Sequence, residues 1–494
     1  MKQKYAFFIK GVLFLSLLAV VLSTINRILI PKYFIDDQWS TTSTYLGFYE
    51  MPKDSVDVLF LGSSHGATAF IPQELYNNYG ITSYNLCCEQ QNLVVSYYWL
   101  KEALRYQKPK AVVLETFYLF NDRFDDSEAY IRKAIDYMKW GSVKREAVDA
   151  ICSIDTNQSK SSYYFINQRF HTRWSELSEN DFTYSQMSRH YEMKGFCTSF
   201  NQINENDYMP FITDGNTQTD DTVELMQSYL EKISELCTQN NMELILVKNP
   251  ATMQTVEKYN ATKQLADILN AAYYDFNTMT LYNSLEFSFG EDMIDTGHAS
   301  LKGAVKITNY LGEILQTDYG IAAQVSEAWE NTRYAYSCLH CNANLKHVSD
   351  LNTYLDCLNL MKEHYSVFIA VKDEAADGLN DDIVQKFNNL GLSFDLSGKH
   401  GASYIAVLSP ENIYENIGDT PLEAKGTIRS GIVKYQITSA GSACGTTSCS
   451  IQLDGDEYAR GHNGINIVVY DNLTKSVIDE VAFDTSSPEL PSLR

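Results

Sequence analysis

The run VDVLFLGSSH, residues 56–65, decides how this chain is read. Its first six residues are a short apolar stretch of the kind a parallel strand buried on both faces requires. Gly62 ends the stretch, since glycine permits the sharp backbone path of a tight turn after a strand. Ser63, Ser64 and His65 therefore stand at the carboxyl edge of a sheet. A serine there faces a cleft, with the following N–H groups free to donate.

Working outward, residues 81–86, 111–117 (AVVLETF) and 242–247 (MELILV) are further candidate strands. Helices are predicted from Pro72, over 93–106, and where Val223, Met226, Leu230, Ile233 and Leu236 recur at helical spacing. The alternation predicts an α/β fold with a parallel sheet covered on both faces. A last helix is expected over 299–315, with Leu301, Val305, Thr308, Leu311 and Leu315 on one face. Residues 121–219 break the alternation and read as a polar, aromatic insertion over the sheet edge or the site. His171, Arg173, His190 and Lys194 within it read as solvated or structural more readily than as cleft residues.

A hydroxyl is a poor nucleophile until a base takes its proton, and the base needs an acid partner to fix its tautomer. Asp295-Thr-Gly-His298 supplies both just before the last helix. A turn of this spacing sets a carboxylate beside an imidazole at low cost. The roles that follow are attack by Ser64, proton transfer by His298 and orientation by Asp295. His65 reads as a loop residue pointing elsewhere, or as one that supports the site from behind. No cofactor and no metal is expected at this site.

With these blocks in place, residues 55–318 resemble the SGNH/GDSL hydrolase superfamily, in which the nucleophile block comes first and an Asp-x-x-His block last. DVLFLGSSH is nearest to exported members of the DltD-like and alginate-acetylation kind, which work on cell-surface polymers. The resemblance implies a three-layer domain and an acyl ester on Ser64. It also implies two oxyanion donors, a glycine and an asparagine, from blocks that here read NLCCEQQN (85–92) and VVLETF (112–117) and match neither. Gln91, Asn92 or Asn249 is expected to donate instead, beside the Ser64 backbone N–H.

Beyond a linker at 321–339, residues 340–490 show their own alternation of strands and helices and are expected to be a second α/β domain. YSVFIAVKDEAADGLND (365–381) and GINIVVYDNLTKSVIDEVAFDT (464–485) resemble the interleukin-like EMT inducer/PANDER-like domain, in permuted order. Relatives of that fold include a sugar-binding stem domain, which implies carbohydrate binding; a spacer or oligomerisation module is the competing reading. Residues 464–471 and 477–484 are predicted to form a hairpin turning at 472–475.

Lys2, Lys4 and Lys10 lead into GVLFLSLLAVVLSTI (11–25), which with its apolar flanks reaches membrane-spanning length. The leading lysines place the N-terminus in the cytoplasm and everything after about residue 36 outside the cell. A retained signal anchor over residues 1–36 is favoured over a cleaved signal peptide, because no small-x-small site follows the apolar run. The domain carrying Ser64 then occupies 37–320. A net charge of -23, from 62 acidic and 39 basic residues, argues against nucleic acid as a partner. The ten cysteines, with Cys338 and Cys341 in a CxxC and Cys444 near Cys449, read as disulfides or buried thiols before a four-cysteine zinc site.

Three functions stay open at this level. The first is an esterase or O-acyltransferase, most simply for acetyl groups, acting on a surface glycan or teichoic-acid-like polymer. The second is a glycan-binding protein without catalysis. The third is a scaffold for an integral membrane acyltransferase.

Overall fold

A computed structural model describes residues 2–32, 41–121, 128–178, 181–182, 193–197, 203, 208–213, 215–393, 398–472 and 475–494. His190 and residues 473–474 of the expected hairpin turn lie outside the described residues. The chain divides into two compact units, Met1–Tyr336 and Ser337–Arg494.

Strands β1 (Val58–Leu61), β2 (Ser83–Asn85), β3 (Ala111–Glu115), β4 (Glu243–Lys248) and β5 (Ala272–Asp275) make one sheet in the order β2-β1-β3-β4-β5. Every pairing is parallel. β1, β2 and β3 are buried along their whole length, which is why β1 and β3 run apolar without alternation, whereas β2 is the polar Ser83-Tyr84-Asn85. Leu59, Leu61, Val112, Leu114, Leu244 and Leu246 face one core with Trp99 and Leu100 of the helix Leu93–Ala103 and Leu230 and Ile233 of the helix Glu224–Gln239. On the opposite face Phe60 stacks on Phe70, and Phe276 meets Tyr310 of the helix Leu301–Thr317. The sheet is thus a middle layer between two layers of helix.

The insertion is helical: Glu128–Ile135, Ser142–Ile154, Lys160–Tyr164 and Ile166–Phe170 are its described α-helices. Ile131, Ile135, Val148, Ile151 and Tyr163 join the core of the first unit. Its polar look hides a buried cation, Arg132, which bonds Glu128 and Asp136 and lies 3.9 Å over the Tyr163 ring. Arg173 and Lys194 are also structural. Arg173 bonds Asp181 and the Leu29 carbonyl, and the Lys194 ammonium donates to Thr332 at 2.6 Å over the Trp329 ring. His171 is exposed.

Residues 321–339, read from sequence as a linker, are folded. Ile321 and Trp329 are buried, and the unit boundary falls inside the helix Arg333–Leu345. The indole of Trp329 gave no clue of its own, because a single aromatic in a polar run has no period.

The second unit carries a ten-stranded sheet. Its strands are β6 (Tyr365–Asp373), β7 (Ser403–Leu408), β8 (Ile413–Gly418), β9 (Leu422–Ile428), β10 (Val433–Gly441), β11 (Ser448–Leu453), β12 (Asp456–Glu457), β13 (Gly464–Asp471), β14 (Ser476–Phe483) and β15 (Ser492–Leu493). Pairing is antiparallel except for a short parallel contact of β10 with β6. Val367, Ile369 and Val371 of β6 face Tyr354, Leu355 and Leu358 of the helix Leu351–Met361. Phe368 and Ala370 face Ile405, Ile437 and Ile451, where the sheet curls over itself. Two-sided burial makes β6 read as continuous apolar sequence. The β13–β14 pair is the expected hairpin, paired from Ile465 with Phe483 to Asp471 with Ser476 with a shift of register between Val469 and Tyr470.

Candidate active site

The turn that carries Ser64 begins at Gly62, whose φ of +148° is a conformation side chains rarely adopt. A Cβ there would stand 2.6 Å from Cβ of Glu115, so glycine is required on two counts. Ser63 caps the short helix Ser64–Ala67, its Oγ accepting the His65 N–H at 3.3 Å. The same hydroxyl donates to Glu115 Oε2 at 2.9 Å. Glu115 Oε1 accepts from Lys248 Nζ at 3.1 Å and from the Phe117 N–H at 3.0 Å. Glu115 ends β3 and Lys248 ends β4, and their side chains are 0% and 3% exposed, so a buried ion pair underlies the turn.

Ser64 Oγ lies 2.8 Å from His298 Nε2, and His298 Nδ1 is 2.9 Å from both carboxylate oxygens of Asp295. Asp295 Oδ1 also accepts the N–H groups of Gly297 and His298, at 2.8 and 3.0 Å. Burial pushes this carboxyl up, but the hydrogen bond and charge of His298 and the two amides outweigh it and hold Asp295 below the ordinary aspartate value. Ser64 is 9% exposed while the Asp295 side chain is 51% exposed, so the three residues open to solvent on the aspartate side.

The loop that carries Asp295 and His298 is closed on itself, with the Ile294 N–H donating to the His298 carbonyl at 2.8 Å and the Ser300 N–H to the Asp292 carbonyl at 2.8 Å. Ser300 then caps the helix Leu301–Thr317. The Thr252 N–H donates to the Thr296 carbonyl at 2.9 Å and ties the loop to the chain leaving β4. A serine hydroxyl, an imidazole and a carboxylate in this order can move a proton off the hydroxyl as it attacks a carbonyl carbon.

His65 points away from the chain of proton transfer but stays beside it. Its ring stacks on Phe117 at 4.3 Å and lies 4.9 Å from that of His298, and a Cβ on Gly297 would meet it at 2.7 Å. Burial, then the charges of Lys248 and His298, push the His65 imidazole well below its ordinary value, so the ring is neutral. Its Nδ1 is buried without a hydrogen-bond partner.

The three expected donors divide sharply. Gln91 is committed, its Nε2 bonding the Leu86 carbonyl and Ser96 Oγ while its Oε1 accepts from Tyr45. Asn249 Nδ2 donates to the His65 carbonyl at 2.9 Å, bracing the turn from β4. Asn92 caps the helix Leu93–Ala103 through its Oδ1, and its buried Nδ2 has no partner.

Ser63, Glu115 and Lys248 are the residues that sequence reasoning did not assign, and the burial of His65 was not foreseen. A charged residue closing each of two apolar strands, in VVLET and LILVK, is the signal that could have found the pair. Cys338, Cys341, Cys444 and Cys449 form no ligand cluster among the described residues. Glu374, Asp377 and His400 bring ligand atoms within 4.8 Å of one another. The Glu374 carboxylate already accepts three backbone N–H groups, from Ala375, Ala376 and Gly401.

The chain matches no protein-family model, and no curated protein matches it.

Proposed function

We propose that the chain is a serine-dependent esterase or O-acyltransferase of SGNH type that carries an acyl group on Ser64. The observation that supports this reading is the hydrogen-bonded line from Ser64 Oγ through His298 to Asp295, at 2.8 and 2.9 Å. In the proposed reaction Ser64 Oγ attacks the ester carbonyl as its proton passes to His298 Nε2. Asp295 holds Nδ1–H and stabilises the imidazolium. The proton then goes to the leaving alcohol, and water or a sugar hydroxyl takes the acyl group from Ser64 by the reverse path. The Ser64 backbone N–H and Asn92 Nδ2 are the proposed oxyanion donors.

The resemblance to exported polymer-acylating proteins supports an acetylated surface glycan or teichoic-acid-like polymer as substrate. The apolar helix Lys2–Leu29, long and apolar enough to cross a membrane, supports a retained anchor with the remainder outside the cell. The PANDER-like likeness of the second unit supports a glycan-holding role there, and an integral membrane acyltransferase is the proposed acyl donor in the transferase case.

The test is covalent labelling of the full-length protein with a fluorophosphonate, followed by release of acetate from an acetylated glycan. Wild type is expected to label at Ser64, and Ser64→Ala to lose the label and at least about 10³-fold in turnover. Absence of labelling and of any Ser64-dependent turnover would sink the reading. The second reading, glycan binding without catalysis, draws on the commitment of the Gln91 and Asn249 amides elsewhere. It predicts glycan binding that Ser64→Ala leaves unchanged.

A further inference from the structure

Residues 5–21 of the helix Lys2–Leu29 are exposed throughout, burial begins at Leu22, and Leu29 is 0% exposed. At about 1.5 Å per residue the stretch 5–21 spans roughly 26 Å, close to the thickness of the hydrocarbon core of a bilayer. The folded unit therefore takes hold of the helix where lipid tails would end.

That hold is built from several elements. Arg173 Nη1 donates to the Leu29 carbonyl at 2.9 Å, and Nη2 donates to Asp181 at 2.9 and 3.1 Å. Lys32 Nζ stands 3.4 Å from Asp181, with both side chains almost wholly buried. The Tyr137 hydroxyl donates to the Pro31 carbonyl at 2.6 Å, and the helix Ile166–Phe170 packs against the apolar helix. A leader destined for removal has no use for such a seat.

Around it three large aromatics face outward: Phe165 at 49%, Trp174 at 55% and Phe182 at 57% exposure. Each adjoins the junction in sequence. Phe165 precedes the packed helix, Trp174 follows Arg173, and Phe182 follows Asp181. Single exposed aromatics are ordinary, but three adjoining the exit of one apolar helix have the composition of a membrane-interface belt.

We propose that Phe165, Trp174 and Phe182 enter the headgroup layer of the bilayer, seating the Ser64-bearing unit directly on the lipid face. The inference rests on the reading of Lys2–Leu29 as a membrane span. Lipid is the occupant because the rim is continuous with the exposed apolar helix. An integral membrane protein covering the same rim is the competing occupant.

The experiment places the full-length protein in phosphatidylethanolamine/phosphatidylglycerol vesicles and reads the emission that Trp174→Phe removes. Expected is the loss of most of that emission with a headgroup-nitroxide lipid and little loss with aqueous iodide. The double variant Trp174→Phe, Phe182→Trp is expected to restore an emission with the same lipid response. If the protein withstands alkaline extraction from the vesicles but Trp174 is quenched by iodide and not by lipid, the seat is overturned while the anchor stands, and a protein occupant takes its place. If alkali extracts the protein, the anchor reading and the seat fail together.

Discussion

At the scale of single residues, the proposed role of Asn92 as an oxyanion donor can be separated from its capping of a helix. Its Oδ1 caps a helix and its Nδ2 is free, so Asn92→Asp keeps a good cap while replacing the donor by an acceptor. Turnover per folded molecule is expected to fall about 10²–10³-fold, with a lower urea midpoint because the new carboxylate is buried; equal turnover in the variant would remove Asn92 from the reaction. His65 carries a pH signature. Above the ordinary histidine value of about 6.5 the ring is neutral in folded and unfolded chains alike. Below it the unfolded chain takes up a proton that the buried ring beside Lys248 and His298 refuses, so stability falls as pH falls. Urea midpoints measured at pH 7.5 and pH 5.5 are expected to differ more for wild type than for His65→Gln, and equal differences would contradict the burial argument. Ser64, Asp295 and His298 were legible because each block is local and sits beside a recognisable strand or helix start. Asn92 was legible only as one candidate of three, since capping and donation use the same residue type. His65 was invisible as a buried ring, because its burial is made by Phe117 and Gly297, which are distant in sequence.

At the scale of elements, the turn after β1 depends on what β3 and β4 place beneath it. Gly62→Ala is expected to cost about 2 kcal/mol or more, through its backbone angle and the closeness of Glu115. Glu115→Gln and Lys248→Met each leave a buried partner behind and are expected to cost about 3 kcal/mol. The double variant is expected to cost less than their sum, and a strictly additive cycle by chemical denaturation would show that the pair is not coupled. β1, β3 and β4 could be read from sequence because burial on both faces leaves them apolar throughout. β5 could not: Ala272, Tyr273 and Tyr274 are half-buried at the sheet edge, and AYYD carries no clear period. The insertion helices escaped notice because their buried face includes Arg132 and Lys144, cations that a hydropathy pattern assigns to solvent.

At the scale of the molecule, two units with separate cores are expected to melt as two heat-absorption transitions. Reaction of Ser64 with a fluorophosphonate is expected to shift only the transition of the first unit in scanning calorimetry. A single transition, or equal shifts of both, would mean that the units unfold together. The division itself was foreseen between residues 320 and 340, but its position within a helix was not, because the chain does not loosen there. The Ser63–Glu115–Lys248 cluster has a consequence over evolutionary time as well. It holds the sheet edge whether or not Ser64 reacts, so selection for folding acts on Gly62, Ser63, Glu115 and Lys248, and, under the proposed function, selection for activity would act on Ser64, Asp295 and His298. Lineages that abandon the chemistry should drift at the second set while keeping the first, which makes loss of catalysis recognisable in a descendant's sequence.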